Sequence, residues 1–183
     1  PVYRWVIVSA SALMLALSMG MIVNGTSVFF IPLFDEFGWQ RGDVSLINTS
    51  GLVGLAIGGI FMGRIADKTP IRWVMLFCAT VIALCMLGAS QADVLWQFYL
   101  LFFIAGFLGA AALFAPLIAN VGNWFKTGAG LALGIASAGQ ALGQGGMPYV
   151  LALLIGALGW RDALMSVGIT MLVLLISLAM LIK

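Results

Sequence analysis

Six long, largely apolar stretches follow one another with only short polar connections: residues 5–34, 42–65, 71–91, 94–122, 128–158 and 160–182. A helix that crosses the hydrocarbon core of a bilayer needs about 20 such residues, so each stretch is long enough to span. Only 8% of the 183 residues are charged and the mean hydropathy is +1.18, which leaves too little polar surface to cover a soluble globule. The sequence therefore predicts an all-α membrane protein of six transmembrane helices, a single bundle over 1–183. The first apolar run is too long for a cleavable signal peptide.

The charges predict an orientation. With the N-terminus inside, Arg4, Arg64, Lys68, Arg72, Lys126 and Lys183 fall on the cytoplasmic side, and only Arg41 and Arg161 fall outside. Lys and Arg near span ends accumulate in the cytoplasm, so N- and C-termini of this segment are expected there, in the plasma membrane. The formal charge of +2 is thus an orientation signal, and a nucleic-acid partner has no basic patch to bind. The densest cluster is the ten-residue turn GRIADKTPIR, Gly63 to Arg72, with four charges between the second and third spans.

Glycine spacing predicts which helices touch. Gly51, Gly54, Gly58, Gly59 and Gly63 in the second span, and Gly130, Gly134, Gly139, Gly143, Gly145 and Gly146 in the fifth, form small-xxx-small faces that admit close backbone approach. Both spans are expected to be buried in helix contacts, whereas the bulky sixth span is expected to face lipid. Cys78 and Cys85, seven residues apart in the third span, stand about 10 Å apart along a helix and cannot pair. Pro32 is expected to weaken the last turn of the first span, and Gly38-Trp39 and Gly159-Trp160 to end helices and anchor the interface. Two units of three spans each would be inverted in the membrane, the 3+3 plan of many secondary transporters.

Polar residues inside spans are costly in lipid unless they have partners or line a wet cavity. Asn24 and Ser27 share one face of the first helix, and Ser137, Gln140 and Gln144 repeat the pattern on the fifth. Asn48 and Asn120 are further amides near span ends. Interhelical hydrogen bonding and a solute cavity are both open readings of these faces.

The turn Gly63, Arg64, Asp67, Lys68, Arg72 resembles the signature loop of the major facilitator superfamily, with Pro70 in place of its second Gly and Ile71 in place of a basic residue. From Pro116 through NVGNWFKTGAGLALGIASAG to LGWRDA the chain is similar to the monocarboxylate transporters and the oxalate/formate antiporters. Asn24 stands near the place where animal monocarboxylate carriers have a Lys.

The resemblance implies the N-terminal half of a twelve-helix secondary transporter, a half of a major-facilitator fold, whose other half would be the C-terminal six-helix partner. It implies a gating role for Gly63, Arg64, Asp67, Lys68 and Arg72. It also implies a solute path lined by Asn24, Ser27, Phe114, Asn120, Ser137, Gln140 and Gln144, with Pro116 a candidate kink. The expected solute is a small organic anion, a monocarboxylate foremost, carried by alternating access as symport or antiport. Another small solute, or a half-size subunit working as a homodimer, is the alternative. No cofactor or metal is expected, since the chain has no His and no acid deep in a span, and an intramembrane enzyme would lack its base and its ligands.

Overall fold

The computed structural model describes residues 2–182, so Lys183, counted above among the cytoplasmic charges, lies outside the described residues. Six helices are long and apolar enough to cross a membrane: α1 (Tyr3–Phe37), α2 (Arg41–Ala66), α3 (Ile71–Ser90), α4 (Leu95–Asn123), α5 (Ala129–Leu158) and α6 (Trp160–Leu181). Among the described residues there is no strand.

The three most extensive helix pairings are α1 with α5, α2 with α4, and α3 with α6. Exchanging the first three helices for the last three turns this set of pairs into itself, as an inverted repeat requires. One packing device occurs in both equivalent pairs. On α2, Gly54 and Gly58 lie against α4 so closely that an added Cβ would overlap the carbonyl oxygens of Phe103 and Phe107. On α5, Gly139 and Gly143 lie in the same way against the carbonyl oxygens of Ala12 and Ala16 on α1. Lipid tails are as apolar as Leu, so this backbone approach replaces the hydrophobic force that packs soluble helices.

Two glycines per helix make that contact, so α2 and α5, expected to be buried in helix contacts, are buried along only part of their length within this bundle. Only 6% of the most apolar stretch of α5 and 28% of that of α2 are buried, against 61% for α1. Gly59, Gly63, Gly130, Gly134, Gly145 and Gly146 meet nothing within 4 Å of a would-be Cβ. The sixth span also differs from expectation. One face of α6, with Leu164, Val167, Met171, Leu175 and Ala179, is buried, and α6 packs along α3, while Ile169, Val173 and Met180 are exposed. Helix α3 carries both free cysteines into the interior, Cys78 at 0% and Cys85 at 5% exposure.

At the end of the bundle bearing the α1–α2 and α5–α6 turns, Gly38 (φ +67°) and Gly159 (φ +84°) adopt positive-φ conformations that end their helices. The tryptophans that follow pack into a cluster of rings, Trp39 half-buried and Trp160 buried. Trp39 stacks on Phe37 with ring centroids 4.3 Å apart, and buried Trp160 meets Phe37 and Phe98 at 6.0 and 5.9 Å. Arg161 closes this cluster: its guanidinium lies 4.4 Å from the Trp160 ring, and donates to Glu36 at 3.1 Å and to Asp93 at 2.7 Å. The Trp160 indole donates to the same Glu36 carboxylate. One arginine thereby ties the end of α1 to the α3–α4 turn and the start of α6.

Helix α1 runs on past Pro32 because it changes character first. It passes into a π turn over Gly20–Asn24 and a 3-10 turn over Gly25–Phe29, and resumes as an α-helix over Phe30–Phe37. Pro32 is then a first-turn residue of a restarted helix, where a missing N–H leaves no bond unmade. Helix α4 has its own π stretch at Ala105–Ala110 and stays helical through Pro116, so its irregularity lies about two turns before the expected kink.

Candidate functional site

The break in α1 sets out the polar chemistry of the bundle. Moving from π to 3-10 bonding takes carbonyls out of the helical ladder, and in a membrane each needs another donor. Four consecutive carbonyls find one. Thr26 donates to Met21 O at 3.2 Å and to Ile22 O at 3.4 Å, and Ser27 donates to Asn24 O at 2.7 Å. Asn48 of α2, with its amide nitrogen turned toward α1, donates to Ile22 O at 3.1 Å and Val23 O at 3.2 Å. The opposite amide orientation would set an oxygen against two acceptors.

The break leaves Asn24 and Ser27 exposed on the open side of the bundle. The Asn24 amide donates to the backbone carbonyl of Gln144 on α5 at 3.0 Å, so two of the residues singled out in the sequence are joined. Ser27 lines a cavity of about 500 Å³ with Phe30, Ile31, Phe34, Asp35 and Arg41. A second cavity, about 220 Å³, lies between Met19 and Val23 of α1, Leu55 and Gly59 of α2, Ala111, Phe114 and Ala115 of α4, and Gln140 of α5. It brings together Phe114 and Gln140, and the Gln140 amide is the sole polar side chain in an apolar wall. Such a site holds an apolar body and offers one polar handle.

The remaining candidates sit elsewhere. Ser137 is exposed on α5 outside both cavities. Asn120 lies toward the other end of α4, its Nδ2 buried without a partner. Asp35 and Arg41, which line the larger cavity, were not among the sequence-derived candidates, nor was Asn48. The α1 break that gives Asn48 its role carries no mark in an apolar stretch, apart from Gly20 and Gly25.

The GRIADKTPIR turn closes the opposite end. The Asp67 N–H donates to Gly63 O and that of Lys68 to Ile65 O, both at 3.1 Å, which ends α2. Pro70 caps α3: its φ of −54° suits the position, and its carbonyl accepts from the N–H groups of Trp73 and Val74. The Gly-to-Pro departure is thus the residue that starts α3. Arg64, Asp67 and Lys68 are exposed and lie outside the ion pairs found among the described residues, all of which involve Arg161. Arg72 donates to the Met180 sulfur at 2.8 Å.

The sequence model of the Major Facilitator Superfamily matches residues 10–183, nearly the whole chain. The chain belongs to the major facilitator superfamily. Within this superfamily of transporters the chain is 28% identical over 177 residues to MFS-type transporter 1 of Ophiocordyceps sp. (strain BCC 1869), covering 96% of the chain and 39% of that protein. It is 28% identical over 166 residues to monocarboxylate transporter 13 of Rattus norvegicus, covering 91% of the chain and 39% of the rat protein. It is 31% identical over 163 residues to MFS-type transporter hasB of Aspergillus fumigatus, covering 87% and 36%. The chain spans well under two thirds of the length of each. Its six helices are those of a multi-pass membrane protein, with the major-facilitator bundle of three plus three.

Proposed function

We propose that this chain is the N-terminal six-helix half of a secondary transporter that moves small organic carboxylates, monocarboxylates foremost, by alternating access. The observation that carries the reading is the open face of α1, α4 and α5. There Asn24, Ser27, Phe114 and Gln140 are exposed or line cavities at a broken helix, while the rest of α1 is the most buried part of the bundle. No ionisable side chain lines the cavity at Phe114 and Gln140, while Asp35 and Arg41 lie with Ser27 in the larger one, so a carboxylate beside Gln140 finds an amide donor and takes its countercharge there from the C-terminal six-helix partner.

The exposed length of α5, with its bare glycines, supports the same partner: a backbone this open fits against another helix bundle. The end bearing GRIADKTPIR is cytoplasmic in this reading, in the plasma membrane. Arg64, Asp67 and Lys68, outside the ion pairs among the described residues, latch onto the other half when the cytoplasmic side is shut. The names of the monocarboxylate transporters similar to this chain favour the carboxylate over other small solutes.

Counterflow uptake of labelled lactate, pyruvate, formate and oxalate by the full-length protein in liposomes, with and without a pH gradient, tests the solute. Accumulation of at least one carboxylate is expected, and uptake of none removes the carboxylate assignment.

A further inference from the structure

Of the three side-chain donors to the break in α1, those of Thr26 and Ser27 belong to the break itself and follow wherever α1 goes. Asn48 does not: it reaches in from α2 and holds two carbonyls at once, at 3.1 and 3.2 Å. Three residues further along α2, Gly51 faces α4, where a Cβ on Gly106 would overlap the Gly51 carbonyl. The same stretch of α2 therefore grips the irregular segment of α1 with a side chain and that of α4 with its backbone. Asn24, on the other side of the break, is held to α5 through Gln144 O. The break is suspended between two helices, and Asn48 is its anchor on α2.

We propose that Asn48 is a positioning residue for solute binding: by capping Ile22 and Val23 it fixes the break in α1, and through it the placement of Asn24 and Ser27. The solute part of this inference rests on the proposed function; the geometric part does not. Without the Asn48 donor the Val23 carbonyl is left uncapped in an apolar setting, and that of Ile22 keeps only the 3.4 Å bond from Thr26. The segment is then driven toward regular α-helical bonding, which rotates Asn24 and Ser27 away from the open face.

Asn48→Asp separates this role from bulk packing. The substitution is nearly isosteric, but an ionised carboxyl has no proton to donate and repels both carbonyl oxygens, whereas a protonated one regains one donor. Residues 5–34 of α1 and 44–63 of α2 hold no ionisable side chain, and residues 95–123 of α4, which packs along α2, hold Tyr99 alone, whose hydroxyl donates to Asp43 O at 2.7 Å. In liposomes with the full-length protein, the half-saturation concentration for carboxylate uptake should rise about tenfold in both N48A and N48D at neutral pH. Relative to the unsubstituted protein at each pH, that of N48D should recover toward pH 5 and that of N48A should not.

A solute-independent readout accompanies it: Ser27→Cys is labelled with a thiol reagent in both backgrounds, against native thiols that are buried. A labelling rate changed by about threefold or more in N48A, with uptake of every carboxylate absent, supports the positioning role and removes the carboxylate assignment instead. Unchanged labelling in both variants overturns the proposal, as does an N48D profile that stays parallel to that of N48A.

Discussion

The side-chain amide of Asn24 donates to the backbone carbonyl of Gln144 at 3.0 Å, across the contact between the first and fifth helices. Gln144 therefore enters through its backbone, and its side chain stays available. Asn24→Ala removes this donor, and we expect it to lower solute affinity about five- to tenfold while expression and folding stay intact. Gln144→Ala keeps the carbonyl and should cost less. Uptake titrations on both variants check the order.

The glycine contacts make a stability prediction with an internal control. Gly143→Ala forces a Cβ onto the Ala16 carbonyl, and Gly58→Ala onto that of Phe107. Each should destabilise the bundle by about 1–3 kcal/mol. In the six-helix chain on its own, Gly146→Ala, three residues along the same helix with open space around it, should be neutral or slightly stabilising. Thermal unfolding in detergent compares the three.

Arg161 joins Glu36, Asp93 and the aromatic cluster, with a third of its side chain still exposed. Arg161→Ala should lower stability by about 1 kcal/mol, because solvent screens part of the pairing. Arg161→Lys should recover little of it, since an ammonium cannot fork between two carboxylates while lying over an indole. High salt should narrow the gap between the unsubstituted protein and R161A.

Cys78 and Cys85 are buried on α3. Membrane-impermeant thiol reagents should leave both unmodified until the protein is denatured, which mass spectrometry of labelled and unlabelled protein reads directly.

Much of the fold was legible because the bilayer imposes one simple rule, a run of apolar residues per crossing, and because Gly38, Pro70 and Gly159 punctuate the runs. The pairing of Gly54 and Gly58 with α4 was not, since glycine spacing shows which face is thin and not which neighbour fills it. The same limit misled the reading of α5: its many glycines suggested burial, and all but Gly139 and Gly143 lie open or loosely packed. Trp160 was read as an interface anchor because its burial depends on Phe37 and Phe98, distant in sequence. Asn24, Ser27 and Gln140 stood out as polar residues in apolar runs. Asn120 was placed on the solute path and Asn48 was not, because the role of Asn48 shows only against the irregular backbone of α1.

The most direct measurement is thiol labelling of Gln140→Cys in the full-length protein, applied from each side of sealed vesicles with and without a saturating carboxylate. An alternating-access carrier whose solute cavity lies between Met19, Phe114 and Gln140 predicts labelling from both sides, slowed by the solute in each case. Labelling from one side alone, or at a rate the solute leaves untouched, contradicts it.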